Sequence, residues 1–191
     1  MPLGDIPMPK IPIPEVHFHG KTEIILGRDW RSVYVEEEEA LPEDRPALFG
    51  YACVVRGDYG YVTEPDEDGD GWRVVEGEIG EGETPEEFIA RAAHQQIGAT
   101  ISQTLLLGYL DCEATSYNEQ YETHFRSLRP LYVAVASEVG PIPDGAGYHR
   151  RRYPMNQFQN ELRVRYPTIH QHFMKGLGRY MILERTGKLD S

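Results

Sequence analysis

The fold is decided by residues 77–99, which read GEIGEGETPEEFIARAAHQQIGA. The middle of this stretch carries the signals that start a helix, with Thr84 suited to the N-cap, Pro85 to the first helical position and Glu87 completing a capping box. Apolar residues then recur at helical spacing, and Gly98 is typical of a C-cap. The stretch therefore predicts a glycine-rich loop and a helix that begins at Pro85 and ends just before Gly98.

The same stretch resembles the Nudix box, G-x5-E-x7-R-E-U-x-E-E-x-G-U, where U is an aliphatic residue. Gly77, Glu83, Arg91 and Gly98 occupy the positions that the motif prescribes, in one continuous register. The resemblance implies an α+β fold, a Nudix-type α/β/α sandwich with a mixed β-sheet, an N-terminal extended or β extension and C-terminal helices. It also implies that an intact box would hydrolyse a phosphoanhydride with Mg²⁺ or Mn²⁺.

Three positions of the box depart from the motif. Ala92 stands where the family has its first helix glutamate, and Gln95 and Gln96 stand where it has a glutamate pair. In the family those glutamates hold the metal ion and help to activate water. Hard divalent ions prefer anionic oxygen, whereas a neutral amide offers a carbonyl dipole and accepts no proton. The residues therefore predict that the usual hydrolysis is weakened or lost.

Carboxylates elsewhere offer an alternative in which activity is retained. Some Nudix hydrolases that resemble this layout take their general base from a loop beyond the box, and residues 113–123 form such an acidic loop here. In this interpretation Glu83, Glu119 and Glu122 are the candidate catalytic residues. Glu83 and Glu87 are the candidate ligands for Mg²⁺ or Mn²⁺.

Polar residues of the box and two nearby arginines are the candidate ligand-binding residues: Arg91, Gln95, Gln96, Arg126 and Arg129. Arg91 is also expected to brace the loop through Glu83 or backbone carbonyls. Two functions follow from the resemblance. One is a hydrolase of a nucleoside diphosphate linked to another group, and the other is a catalytically weakened domain that binds a nucleotide-like ligand or a partner.

A basic cluster at residues 148–153, YHRRRY, stands out in an acidic chain. Arginines interleaved with aromatic residues suit phosphate contacts and base stacking, so the cluster is a candidate site for a nucleotide or an RNA end. Pairing of these arginines with the many surface acids is the alternative interpretation.

Composition limits the classes of partner. The formal net charge is -12 and the sequence pI is about 5.0, which disfavours tight, sequence-indifferent binding to nucleic acid or to an anionic membrane. Cys53 and Cys112 are far apart and form no CxxC or zinc spacing, which fits a reducing cytoplasm. No apolar run is long enough to cross a bilayer, so we expect a soluble protein.

The chain of 191 residues suits one domain with an appended element. Residues 1–45 are expected to form an N-terminal arm and β-extension packed on a Nudix-fold domain of residues 46–191. The arm alternates proline with aliphatic residues up to Pro14, which favours an extended segment docked on a surface and makes it a candidate homodimer contact.

Outside the box, β-branched and aliphatic runs predict strands, and two further helices complete the domain. The predicted strands are residues 16–19, 21–26, 32–35, 49–56, 59–63, 72–75, 104–110 and 131–137, and the predicted helices are 156–165 and 168–181.

Overall fold

A computed structural model describes residues 16–18, 21–25, 30–67, 71–115 and 124–189. Within these residues nine strands form one sheet, and three helices lie against it. The strands are β1 Val16–Phe18, β2 Lys21–Ile25, β3 Trp30–Glu36, β4 Phe49–Arg56, β5 Tyr59–Pro65, β6 Val75–Glu78, β7 Ala99–Ala114, β8 Arg126–Val139 and β9 Tyr148–Pro154. The helices are α1 Pro85–Ile97, α2 Met155–Arg165 and α3 His170–Arg185.

The sheet is mixed. Its strand order is β1-β2-β3-β7-β8-β4-β5-β9, and β6 pairs with the first half of β4. Strands β4 and β8 run parallel from Tyr51↔Leu131 to Val55↔Val135, whereas the other strand pairs are antiparallel. The predicted mixed sheet is therefore confirmed.

Alternation along the central strand β4 builds two separate cores. Ala52 and Val54 face α1 and pack with Phe88 and other residues of that helix. Cys53 and Val55 face the opposite side, where α2 and α3 contribute Phe158, Phe173 and Leu177 to the core. Because successive side chains point to opposite faces of a sheet, one strand serves both layers. The predicted α+β sandwich, a mixed sheet between layers of helices, is confirmed.

Both cysteines lie in the core between the sheet and helices α2 and α3. Cys53 is 0% and Cys112 is 1% exposed, and both are free thiols. Burial raises the pKa of both, that of Cys112 to about 11. They fill core space as small apolar side chains.

The hairpin of β4 and β5 follows the prediction closely, but the next strand is displaced. The strand predicted at residues 72–75 is wrong, because β6 occupies Val75–Glu78 and includes the first glycine of the box. Arg73 instead exchanges backbone hydrogen bonds with Thr63 of β5 at 2.8 and 2.9 Å. The chain must cross from β5 to β4 at this point, and only then does it gain a continuous partner.

The N-terminal extension continues the same sheet. Strand β3 pairs with β7 from Trp30↔Ala114 to Glu36↔Gly108, and Arg45 lies 3.5 Å from Asp111 of β7. Residues 1–15, which contain the predicted arm, lie outside the described residues. The division into an arm of residues 1–45 and a domain of residues 46–191 stays a prediction.

The two C-terminal helices are confirmed with small shifts, since α2 begins one residue earlier than predicted and α3 extends to Arg185. Gly60 of β5 and Gly176 of α3 allow close packing here, because a Cβ at either would collide with Phe158 or Leu107. Among the described residues, no helix is both long and apolar enough to cross a membrane.

Candidate functional site

The caps of α1 are those that the sequence predicts. The Thr84 hydroxyl accepts a hydrogen bond from the Glu87 backbone N–H at 3.1 Å, and Pro85 opens the helix. Gly98 ends it with a φ of 70°, a left-handed conformation that favours glycine. These caps fix the loop of residues 77–84 relative to the helix.

Glu83 and Arg91 lock that loop onto the helix. Arg91 donates to both carboxylate oxygens of Glu83, from Nε at 2.8 Å and from Nη2 at 2.9 Å. The Gly80 backbone N–H also donates to Glu83 at 3.0 Å, and Arg91 reaches the Glu78 carbonyl at 3.4 Å. The brace expected of Arg91 is present, in the bidentate geometry that makes such pairs strong.

The same contacts determine the charge state of Glu83. Hydrogen bonds from Arg91, and then the one from Gly80, lower its pKa to about 2. A carboxylate with so low a pKa is a poor proton acceptor near neutral pH, where a general base works best with a pKa close to the ambient value. Glu83 is therefore ionised near neutral pH and supports the loop, and its catalytic role stays a prediction.

Neutral groups occupy the three replaced positions and complete internal contacts. Ala92 is 1% exposed and belongs to the core under α1. Gln95 is exposed, and its Oε1 accepts from Arg91 Nη1 at 3.4 Å. Gln96 is 7% exposed, and its Nε2 donates to the Glu76 backbone carbonyl at 3.1 Å.

The donor set at the box does not fit a hard divalent cation. Such ions need several anionic or carbonyl oxygens that converge on one point. Here Glu83 is engaged by Arg91, Gln96 presents an N–H group to the nearest carbonyl, and Ala92 has no donor atom. Glu87 is exposed on the first helical turn. Across the described ranges, no group of three or more His, Cys, Asp or Glu side chains is placed to hold a metal ion.

Glu119 and Glu122 lie between residues 115 and 124, in a part of the chain that is outside the described residues. Their proposed catalytic role stays a prediction. At the two described ends of the loop, Glu113 and His124 contact each other at 2.8 Å.

The two candidate arginines of β8 lie on opposite faces of the sheet. Arg126 donates to Asp111 at 2.7 Å and is half-exposed. Arg129 faces the core of α2 and α3, where it donates to the Tyr51 hydroxyl at 3.3 Å and lies 4.8 Å from the centre of the Phe49 ring. The sequence groups these residues by proximity along the chain, but an odd separation places them on different sides.

Glu76 is a buried acid beside the box that the sequence analysis missed. Its side chain is 15% exposed, and the Tyr166 hydroxyl donates to it at 3.1 Å. Burial raises its pKa, and the Tyr166 bond and Arg73 oppose that rise. The alternation from the buried Val74 was the available signal, because it places Glu76 on the same face.

The basic cluster of β9 is divided between structural and exposed arginines. Arg150 donates to the carbonyls of Ile97, at 2.6 Å, and Gly140, and so closes the C-terminal end of α1. Arg151 lies 4.7 Å from the Trp72 ring, and Arg152 lies 4.3 Å from the Tyr59 ring. The last two are exposed on opposite faces of the edge strand β9, so the cluster stays a candidate interface along that edge.

Comparison with known proteins adds support for the fold. Neither a protein-family model nor a curated protein matches the sequence. The structure is similar to a mutant of the Bacillus subtilis pyrophosphohydrolase BsRppH, with a TM-score of 0.51 and 16% identity, covering 69% of this chain and 76% of that one. A NUDIX hydrolase from Nitrosomonas europaea gives a TM-score of 0.46 and 14% identity, covering 68% of this chain and 87% of that one.

Identity this low bears on the fold alone, and of these two likenesses the first has a TM-score above 0.5. It is consistent with the mixed sheet between helices, and the loop and capped helix α1 follow the motif that the sequence carries. Taken together, these features show that the chain has the Nudix fold.

Proposed function

We propose that this chain binds a nucleotide-like ligand and does not hydrolyse it by the metal-dependent route of the Nudix box. The observation that carries the proposal is the hydrogen bond from Gln96 Nε2 to the Glu76 carbonyl. A glutamate at this position would set a carboxylate against a carbonyl, two acceptors that need a cation or a proton between them. The Gln96 amide makes this hydrogen bond with its own N–H group and needs neither a cation nor an added proton.

The remaining acid of the box supports the same conclusion. Both oxygens of Glu83 accept hydrogen bonds, and its pKa of about 2 leaves it a weak base. Its charge is balanced by Arg91 at 2.8 Å, so attraction for a further cation is small. The loop of residues 77–84 therefore needs no bound cation to keep its conformation.

Arg129 and Phe49 support binding of an anionic, aromatic ligand. Arg129 is partly buried, it donates to the neutral Tyr51 hydroxyl, and its guanidinium lies over the Phe49 ring. The charge of Glu76 acts on it as well and offsets part of its positive charge. A guanidinium so placed can contact a phosphate through its N–H groups, and the ring beside it offers a surface for a base. In a chain with a net charge of -12, such a local cation gives selectivity for an anion.

The test is a panel of nucleoside diphosphate derivatives, measured for binding by calorimetry and for turnover with Mg²⁺ and Mn²⁺. We expect binding without metal-dependent turnover, and Arg129→Gln should weaken binding about tenfold by removing a charged hydrogen bond. Arg126→Gln tests the other candidate arginine, on the opposite face of the sheet, and weaker binding by this variant alone would mean that the ligand lies on that face. Metal-dependent turnover by the wild type would contradict the proposal.

The second candidate is a divergent pyrophosphohydrolase that uses relocated acids, Glu83, Glu119 and Glu122, with Mg²⁺ or Mn²⁺. The acidic loop that carries Glu119 and Glu122 joins β7 to β8, the strand of Arg129. If the panel shows turnover, this candidate requires that a Glu119→Gln, Glu122→Gln double variant abolish it. Turnover that survives this double variant would exclude relocation.

An RNA partner is tested in the same way. A short single-stranded RNA joins the binding panel, with Arg151→Gln and Arg152→Gln as variants of the exposed arginines of β9. Binding that both variants weaken would support the interface. If neither variant weakens binding, the RNA contacts other residues.

A further inference from the structure

A cleft of about 540 Å³ opens on the α1 side of the sheet, the face opposite to Arg129. Thr104 and Leu106 of β7 and Leu128 and Tyr132 of β8 form its floor. One wall is the N-terminal turn of α1, and the other is the segment of residues 38–47. We call it the acidic cleft. Its volume falls in the range of cavities that hold small molecules.

The floor of the acidic cleft is apolar. Leu106 and Leu128 are 8% and 1% exposed, and Leu41 and Ala47 pack against the core beside them. The segment that carries the last two is anchored, because the Leu48 N–H donates to the Leu128 carbonyl at 3.1 Å and the Leu128 N–H donates to the Pro46 carbonyl at 2.8 Å. An apolar group can therefore be buried here against a fixed surface.

The rim has an excess of negative charge. Four carboxylates line the cleft, those of Glu38, Glu39, Glu43 and Glu86. Arg179 lies 3.7 Å from Glu38 and offsets part of its charge. The cationic side chain in the lining, Arg45, already lies 3.7 Å from Asp44 and 3.5 Å from Asp111. The field within the cleft therefore attracts cations and repels phosphates.

Two further contacts make this more than an acidic surface. The buried Tyr132 donates its hydroxyl to the Glu86 carboxylate at 3.2 Å, which holds that acid above the floor. Burial, and then the charge of Glu86, raise the pKa of Tyr132, so the hydroxyl stays a donor. On the other wall, the ion pair of Arg45 with Asp111 at 3.5 Å holds the segment of residues 38–47 against β7.

We infer that the acidic cleft binds an organic amine with an apolar body. The ammonium group would lie at the rim beside Glu86 and Glu43, and the apolar body would cover Leu106 and Leu128. The inference is independent of the proposed function, because the cleft and Arg129 lie on opposite faces of the sheet.

Three probes that share one aromatic ring test the charge requirement: tyramine, the neutral alcohol tyrosol and the anion 4-hydroxyphenylacetate. Each is titrated into the ¹⁵N-labelled full chain and followed by NMR. We expect tyramine to bind at least about fivefold more tightly than tyrosol, and the anion not to bind. The shifted amides should be those of residues 84–86, Leu106 and Leu128.

Variants of one helical turn separate the cleft from the helix. Glu86→Gln should weaken tyramine binding about fivefold and leave tyrosol unchanged. Glu87→Gln is the matched control, because Glu87 lies in the same turn but does not line the cleft. Equal affinity for tyramine and tyrosol, shifts confined to other surfaces, or no shift with tyramine at millimolar concentration would each overturn the inference.

Discussion

Position 96 shows the effect of exchanging one oxygen for one nitrogen. The Glu76 carbonyl offers only lone pairs, so its partner across 3.1 Å must be a donor or a cation. The glutamine amide is a donor and needs nothing further. Because Gln96 is 7% exposed, water has little access to repair a mismatch at this point.

We therefore predict that Gln96→Glu destabilises the protein in the presence of a chelator. The free energy of unfolding should fall by about 1–3 kcal/mol, since two acceptors would then face each other in a buried contact. Gln95→Glu, on the exposed surface of the same helix, should change it by less than about 0.5 kcal/mol. Urea unfolding at neutral pH measures both, and equal effects would contradict the interpretation.

The Glu83–Arg91 pair predicts a pH dependence of stability. The folded-state pKa of Glu83, about 2, lies below the unfolded value of about 4.3, so the pair stabilises the fold at neutral pH and loses this effect as the pH falls towards 2. Because Arg91 is half-exposed, the contribution is at most about 1 kcal/mol. Urea unfolding of wild type and Glu83→Gln should differ at pH 7 and converge near pH 2.

Restoring all three glutamates carries a separate stability cost. Ala92 is 1% exposed and packs beneath α1, so Ala92→Glu would introduce a carboxylate into the apolar core. We expect a loss of about 2–4 kcal/mol for this change alone. The Gln95→Glu, Gln96→Glu double variant is therefore the better revertant for activity assays, and thermal unfolding of both variants checks the difference.

The sequence predicts the local contacts of the site better than the distant ones. Glu83 and Arg91 are eight residues apart within one loop and helix, so the motif alone indicates their contact. Glu76 accepts a hydrogen bond from Tyr166, which is 90 residues away in the sequence, and no local sequence pattern predicts such a partner. Arg126 and Arg129 appear as one basic group along the chain, and only the alternation of a strand separates them.

At the scale of elements, the two ends of helix α1 are the limits that the sequence predicts best. Its N-cap and C-cap were predictable because each rests on a residue type with a specific backbone preference. The position of β6 was not, because Trp72, Val74 and Val75 have the composition of a strand but the chain crosses between β5 and β4 there. Residue composition indicates that a segment favours a strand, whereas pairing with a neighbouring strand decides where that strand begins and ends.

Gly98 should be the least replaceable of the glycines at the box. Its φ is 70°, and a Cβ there would collide with the Gly140 carbonyl and lie 2.7 Å from the Pro141 oxygen. We predict that Gly98→Ala lowers the free energy of unfolding by more than about 2 kcal/mol. Gly82→Ala is the control, since its φ is 74° but no atom lies within 4 Å, and it should cost about 1 kcal/mol.

At the scale of the whole molecule, the described strands form one sheet that carries a core on each face. Strand β3 extends that sheet beyond β7, so the N-terminal extension shares its hydrogen bonds with the domain. The segment before β1 lies outside the described residues. Its proline and aliphatic composition keeps the homodimer contact as a proposal.

Deletion of residues 1–15 tests that proposal. We expect the full chain to be a dimer and the deletion variant to be a monomer, as measured by light scattering during size exclusion. The deletion removes no described strand or helix, so the variant should fold. The dimer proposal would be wrong if both forms had the same mass per particle.

The rates at which a reagent labels the two buried thiols can report how often the sheet opens. With raised pKa values and almost no exposure, Cys53 and Cys112 form little thiolate near neutral pH and offer no access to a labelling reagent in the folded state. Labelling must wait until β4 or β7 leaves its neighbours. The rates at the two positions therefore report separately how often the centre of the sheet and the strand that carries the N-terminal extension come apart.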